Sequence, residues 1–185
     1  WIYHGYQIHL YTNNMTMIDD PNVIHLDYKS IYDTSLDNLL QFSDLFRYKL
    51  LYEKGGLYSD GDVVLINDYN FSKESTIISS ENTLQSSAYK SNDIKVPNIG
   101  LLKFKSGDPF LKKVIDSCEK NINKGDPLRN MKLFQRVLRS KTYSDYNKYV
   151  KDPIFICGIP WWNCVEQYKN ISVFSIKYNV VPPTE

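Results

Sequence analysis

Two carboxylates stand one residue apart in the stretch GGLYSDGDVVLI, which spans residues 55–66. Asp60 and Asp62 are separated by Gly61 and followed by an apolar run. Hard divalent cations such as Mg²⁺ and Mn²⁺ prefer carboxylate oxygens, take one or two from a protein, and fill their other positions with water and substrate phosphates. The spacing is therefore typical of a cation site in which Asp60 and Asp62 are the metal ligands, but also of an ordinary turn.

Two other kinds of site use similar letters. A calcium-binding EF-hand loop is excluded, because Val63, Val64 and Leu65 stand where it needs further oxygen ligands. A haloacid-dehalogenase-like phosphotransferase, with Asp60 as nucleophile, fits the letters DGDVV. In that fold a hydrophobic strand runs directly into the first Asp, whereas here only the short LYS follows Gly-Gly and a helix comes before it. This reading stays as the alternative.

The segment FSDLFRYKLLYEK, residues 42–54, has apolar residues at helical spacing and predicts a helix. Ser43 is the expected N-cap, and Gly55 and Gly56 are expected to end the helix. Asp44 and Arg47 are three positions apart and so share one helical face, from which both can point into one cleft. Helix capping with a local ion pair is the other interpretation of these two residues.

The remaining elements predict an α/β sandwich with a mixed central sheet, organised as a single domain over residues 1–185. Helices are expected over residues 108–122 and 126–140, each opened by Asp-Pro. Strands or strand-like segments are expected at residues 6–12, 23–28, 57–59, 63–66, 75–81, 98–104, 153–157 and 171–178.

Composition excludes several classes of protein. A net charge of +1 without a basic cluster argues against nucleic acid as a partner. The sequence contains no apolar run long enough for a transmembrane helix. The three cysteines form no CxxC pair, so buried free thiols are expected rather than a zinc site. The 15 tyrosines are of a type that suits polar, ring-shaped ligands.

A longer pattern surrounds the carboxylate pair: Ser-Asp-x-x-Arg on a helix, followed by Gly-Gly-x-Tyr-x-Asp-x-Asp. It is met by Ser43, Asp44, Arg47, Gly55, Gly56, Tyr58, Asp60 and Asp62. This block resembles the DXD-containing glycosyltransferase family, whose members include α-1,6-mannosyltransferases, α-1,4-galactosyltransferases, capsular polysaccharide enzymes and, more distantly, the glucosylating cytotoxins. The resemblance extends from about residue 6 to residue 107.

The resemblance implies a GT-A-like, Rossmann-type fold that binds a nucleotide-sugar and Mn²⁺ or Mg²⁺, with a UDP-sugar favoured over GDP-mannose. It further implies transfer of the sugar to a glycan or other acceptor, such as a protein, with retention of anomeric configuration. The first strand of the family has no counterpart here. An upstream piece is expected, because the chain starts at Trp1, not Met, in residues that resemble the end of a helix. A catalytically silent sugar-binding domain is the further alternative. A cytoplasmic location is expected, or the Golgi lumen if a signal anchor was removed.

The resemblance also assigns roles to individual residues. Asp62 would ligate the metal, and Asp60 would approach it while touching the ribose or the sugar. Tyr58 would line the nucleotide site, and Asp44 and Arg47 would hold sugar hydroxyls. Asn98 is the candidate on the reacting side, with strand structure as its other interpretation. The adjacent Trp161 and Trp162 could stack on a sugar face or pack in the core.

Overall fold

The computed structural model describes residues 1, 5–12, 19–33, 39–61, 63, 70–81, 96–122 and 129–151. The chain divides into two compact units: Trp1–Leu57 with Lys103–Lys148, and Tyr58–Leu102 with Tyr149–Glu185. These are called the first and the second unit below. The structure is α/β, with helices and both parallel and antiparallel sheet, and is compatible with the GT-A-like fold that the resemblance implies.

A parallel pair of strands opens the first unit. β1 (Ile8–Thr12) and β2 (Val23–Asp27) pair in a register that places Ile8 opposite Val23 and Thr12 opposite Asp27. Both strands were expected from their β-branched and aromatic residues, and both are slightly shorter than the sequence predicts.

Three helices complete the first unit: α1 (Leu39–Lys54), α2 (Pro109–Glu119) and α3 (Arg129–Leu138). Asp108 caps α2 as predicted, because its carboxylate accepts a hydrogen bond from the Phe110 N–H at 2.9 Å. The predicted cap of α1 is wrong: the helix already includes Leu39, so Ser43 lies inside it. Asp126 and Pro127, expected to open α3, lie outside the described residues.

The core of the first unit lies where the three helices meet. Tyr48 of α1 stacks on Phe134 of α3 with ring centroids 5.6 Å apart, and Phe110 of α2 meets Phe134 edge-on at 5.0 Å. All three rings are fully buried. The aliphatic part of this core consists of Leu45, Leu51, Leu111, Val114, Ile115, Val137 and Leu138.

The end of α1 is held by the loop that precedes α2. The Tyr52 carbonyl accepts a hydrogen bond from the Gly107 N–H at 2.7 Å, and the Glu53 carbonyl accepts one from the Ser106 hydroxyl at 2.8 Å. Gly55 leaves the helix with φ +67°, and a Cβ built there would stand 2.7 Å from the Ser106 nitrogen. Glycine is required at this position for its conformation and also for the close approach of the two backbones.

The second sheet has the strand order β3-β5-β4. Its strands are β3 (Gly56–Ser59), β4 (Ile77–Glu81) and β5 (Val96–Phe104). Ile77, Ile78 and Leu101 are fully buried and form part of the apolar core of the second unit. All three strands fall close to the predicted segments. Val63 follows a turn and is not in a strand, whereas the strands expected at 153–157 and 171–178 lie outside the described residues.

None of the helices in the described part of the chain combines the length and the apolar character that crossing a membrane requires.

Cys118 is a buried free thiol, as predicted. Burial, followed by the nearby Asp44 and Glu119 carboxylates, raises the pKa of the Cys118 thiol to about 12.

The close approach at Gly55 predicts that Gly55→Ala destabilises the protein more than Gly107→Ala does. Both glycines have a similar positive φ, +67° and +72°, so both variants lose about 1 kcal/mol through backbone strain. Only at residue 55 would the new Cβ meet backbone atoms, since nothing lies within 4 Å at Gly107. We expect a further loss of about 1–3 kcal/mol there, measured as the urea midpoint of unfolding. Equal midpoints for the two variants would contradict this packing.

The raised pKa of Cys118 predicts a slow reaction with iodoacetamide at pH 8 in a Cys157→Ser/Cys164→Ser background. A pKa of about 12 in place of 9.0 lowers the thiolate fraction at that pH by roughly a thousand-fold. The same protein in urea should react at the normal rate and serves as the control. The unfolded chain loses this proton near pH 9 while the folded chain keeps it, so stability should fall between pH 9 and 12. Rapid alkylation of the folded protein would show that the thiol is accessible.

Candidate functional site

Asp44 and Arg47 form an ion pair on the buried side of α1. The Arg47 Nη2 lies 3.4 Å from the Asp44 Oδ1, and their side chains are 7% and 12% exposed, respectively. The Ser43 hydroxyl accepts a hydrogen bond from the Arg47 Nη2 at 3.0 Å. The helical spacing of three and four residues brings these groups together, as the shared face predicted. Ser43 therefore lies inside α1, where it binds the Arg47 side chain, and it is not the N-cap of this helix.

The surroundings of this pair are buried and partly polar. Gln41 is buried one turn earlier on α1, and its carbonyl accepts a hydrogen bond from the Asn130 Nδ2 at 2.9 Å, which ties α3 to α1. The Asp44 carboxylate acts electrostatically on the Cys118 thiol of α2. Because burying an isolated charge costs free energy, each of these two residues needs an oppositely charged partner, whether or not the pair also contacts a ligand.

In the second unit, the end of β3 presents Tyr58 and Asp60. The Tyr58 hydroxyl donates a hydrogen bond to the Asp60 Oδ1 at 2.7 Å. Side chains two positions apart along an extended chain point to the same face, which explains why this pair meets. The turn at Gly61 follows at once, and the Val63 N–H donates to the Asp60 carbonyl at 3.2 Å. Asp60 thus stands where the strand stops and the chain turns.

β5 supports this turn from the side and carries Asn98. The Asp60 N–H donates to the Gly100 carbonyl at 2.8 Å, and the Gly100 N–H donates to the Asn98 Oδ1 at 2.6 Å. The Ser79 hydroxyl of β4 donates to the Asn98 carbonyl at 3.1 Å. Asn98 is therefore connected to Asp60 through a single residue, Gly100, and its side-chain oxygen is used by the backbone.

The predicted site residues fall into three groups. Tyr58, Asp60 and Asn98 belong to the second unit, where the structure joins them, and Asp44 and Arg47 form a pair in the first unit. Asp62, Trp161 and Trp162 lie outside the described residues, so their roles stay predictions.

Sequence reasoning missed the parts played by Ser43 and Gly100. Ser43 carried a usable signal, because it lies four positions before Arg47, within reach on a helix. Gly100 carried none, because its role depends on which strands are neighbours.

No group of three or more His, Cys, Asp or Glu side chains that could hold a metal occurs among the described residues. A closed protein cage is not what Mg²⁺ or Mn²⁺ needs, since these ions use one or two carboxylates and complete their shells with water and phosphate oxygens. Two carboxylates would be enough for such an ion, and the assignment of Asp60 and Asp62 as its ligands stays a prediction.

The buried ion pair predicts that Asp44→Asn destabilises the protein by about 3 kcal/mol, because it removes the Asp44 anion that pairs with the buried Arg47 cation. In Asp44→Asn/Arg47→Gln the two losses should not add, which the urea midpoints of the four proteins will measure. Asp116→Asn, which breaks the exposed Lys112–Asp116 pair of α2, is the control and should hardly move the midpoint. Additive losses would contradict a coupling between Asp44 and Arg47.

Comparison with known proteins identifies the segment that contains these residues. No curated protein matches the chain. Residues 2–85 match the family described as glycosyltransferase sugar-binding region containing DXD motif. The matched segment includes Asp44, Arg47, Tyr58, Asp60 and Asp62, whereas Asn98 and the two tryptophans lie beyond it. This match to residues 2–85 supports a relationship with the DXD-containing glycosyltransferase family.

Proposed function

We propose that the protein is a metal-dependent glycosyltransferase that moves a sugar from a nucleotide-sugar to a glycan or protein acceptor with retention of configuration. The observation that carries the proposal is the Asp60 carboxylate, which stands at the end of β3 in hydrogen-bond contact with Tyr58, within the matched segment. A carboxylate at a strand end, followed by a turn, is the position from which α/β proteins contact ligands.

The donor side of the proposal concerns charge. Asp60 and Asp62 are the residues we assign to hold a divalent cation, Mn²⁺ or Mg²⁺. When bound, such a cation stabilises the negative charge that develops on the departing nucleoside diphosphate. Asp60 would reach a ribose or sugar hydroxyl as well, and Tyr58 would contact the nucleotide. A UDP-sugar is the favoured donor.

The sugar side of the proposal concerns Asp44 and Arg47. Carboxylate and guanidinium groups together accept from and donate to hydroxyls, which suits a sugar. Their side chains are only 12% and 7% exposed, so only a small part of each side chain could contact a ligand. No general base is assigned, because attack on the face of the leaving group lets the departing diphosphate take the acceptor proton.

The proposal predicts Mn²⁺-dependent transfer or hydrolysis of a nucleotide-sugar, measured by release of nucleoside diphosphate across a panel that includes UDP-sugars and GDP-mannose. EDTA should abolish the release, and added Mn²⁺ should restore it. Asp60→Ala and Asp62→Ala should each lower turnover by about 100-fold or more, because each removes charge from the site that stabilises the leaving group. Asp145→Asn, on an exposed 3₁₀ helix, is the matched control and should leave turnover unchanged.

Two other outcomes would replace the proposal. Binding of a nucleotide-sugar without turnover, across glycan and protein acceptors, would make the protein a silent sugar-binding domain. Hydrolysis of a phosphomonoester that is lost in Asp60→Asn would make it a phosphotransferase with Asp60 as nucleophile.

A further inference from the structure

A stripe of basic side chains lies on the face of α3 opposite the core. Phe134 and Leu138 of this helix are buried, whereas Lys132, Arg136 and Arg139 are exposed. The three cations are four and three positions apart, so their side chains are neighbours on the helix surface. They are spread out in the sequence and form no cluster there, but the helix brings them together.

The charge of this stripe is not balanced by carboxylates. Residues 129–144 include five basic residues and no acidic one, in a chain whose net charge is only +1. Neither Arg136 nor Arg139 forms an ion pair with a described residue. Like charges at these helical spacings repel each other. An anion bound along the stripe would relieve this repulsion, so the surface favours an anionic partner.

The stripe borders a groove of about 520 Å³, which is within the size range of ligand sites in proteins. The described residues that line it are the three cations together with Gln135 and Ser140. Arginine binds a carboxylate through two parallel hydrogen bonds. An amide and a hydroxyl exchange hydrogen bonds with the hydroxyls of a sugar. The lining therefore suits a ligand that carries both carboxylates and hydroxyls.

Two other kinds of polyanion agree less well with this groove. Proteins that bind single-stranded nucleic acid combine a basic groove with aromatic rings on which the bases stack, and none of the described lining residues is aromatic. Helices that bind a membrane surface bury apolar side chains in it, whereas the apolar residues Phe134, Val137 and Leu138 of α3 are buried in the core.

We propose that the α3 groove binds a carboxylate-bearing glycan. Arg136 and Arg139 bind its carboxylates, and Gln135 and Ser140 contact its hydroxyls. The inference goes beyond the proposed function, because the described lining belongs to the first unit and the binding requires neither Asp60 nor a cation.

The test measures binding of a fluorescent oligogalacturonate to the full chain, by fluorescence anisotropy in EDTA. The unaltered protein should bind it, and more weakly as ionic strength rises, because exposed charges are screened. Arg136→Gln/Arg139→Gln should weaken binding about ten-fold, the effect of losing two exposed ion pairs, and each single substitution about three-fold. Both side chains are exposed, so the urea midpoint should stay the same and show that the variants are folded.

Two controls separate recognition by the groove from a general effect of charge. Lys113→Gln/Lys120→Gln removes two exposed cations from α2 and its C-cap, which changes the net charge by the same amount, and should bind like the unaltered protein. The methyl ester of the oligogalacturonate keeps the sugar chain without its charges and should not bind.

Several results would overturn the inference. These are no binding of oligogalacturonate, equal affinity for its methyl ester, and an equal loss in the lysine control. Tighter binding of a thymidine oligonucleotide or of phosphatidylserine vesicles, lost in the double arginine variant, would assign the groove to nucleic acid or to a membrane surface instead.

The failure of this inference can be told apart from the failure of the proposed function. Binding of oligogalacturonate through Arg136 and Arg139, without release of nucleoside diphosphate from any nucleotide-sugar, would support the groove and overturn the glycosyltransferase. Mn²⁺-dependent release without oligogalacturonate binding would do the reverse.

Discussion

The contact on which the first unit depends is the one between the end of α1 and the loop before α2. Gly55 passes so close to Ser106 that no side chain fits, and the last carbonyls of α1 are bound by Ser106 and Gly107. A helix end normally leaves its final carbonyls to water or to a local cap. Here a loop about 50 residues later in the chain satisfies them, so α1, the start of β3 and the approach to α2 have to form together.

A different principle governs Asp60 in the second unit. Its side chain is bound by a residue two positions earlier, and its backbone by Gly100 of the neighbouring strand. The first bond follows from the alternation of side chains along a strand. The second requires β3 and β5 to be neighbours, which they are although 36 residues separate them in the chain. The position of the carboxylate is thus a product of local geometry and sheet topology together.

Sequence patterns predicted the parts of the structure that depend on near neighbours. The α2 cap at Asp108, the strands β1 and β2, the glycine stop after α1, and the Asp44–Arg47 pairing all follow from residues within one or two turns or strand steps. The start of α1 was placed too late, because Ser43 has the chemistry of a cap and its use as a partner of Arg47 outweighs that preference. The link from Asn98 through Gly100 to Asp60 could not be predicted from the sequence. It depends on the strand order β3-β5-β4, and strand order produces no periodic pattern of residues.

Cys118 illustrates what the burial of the Asp44 region entails. The species that attacks peroxide is the thiolate, and a thiol whose pKa is raised to about 12 supplies almost none of it at neutral pH. Oxidation to a sulfinic acid would place a second anion inside the helical core, close enough to Asp44 for the two charges to repel. The same burial that suppresses the Cys118 thiolate therefore disfavours the formation of a second anion beside Asp44.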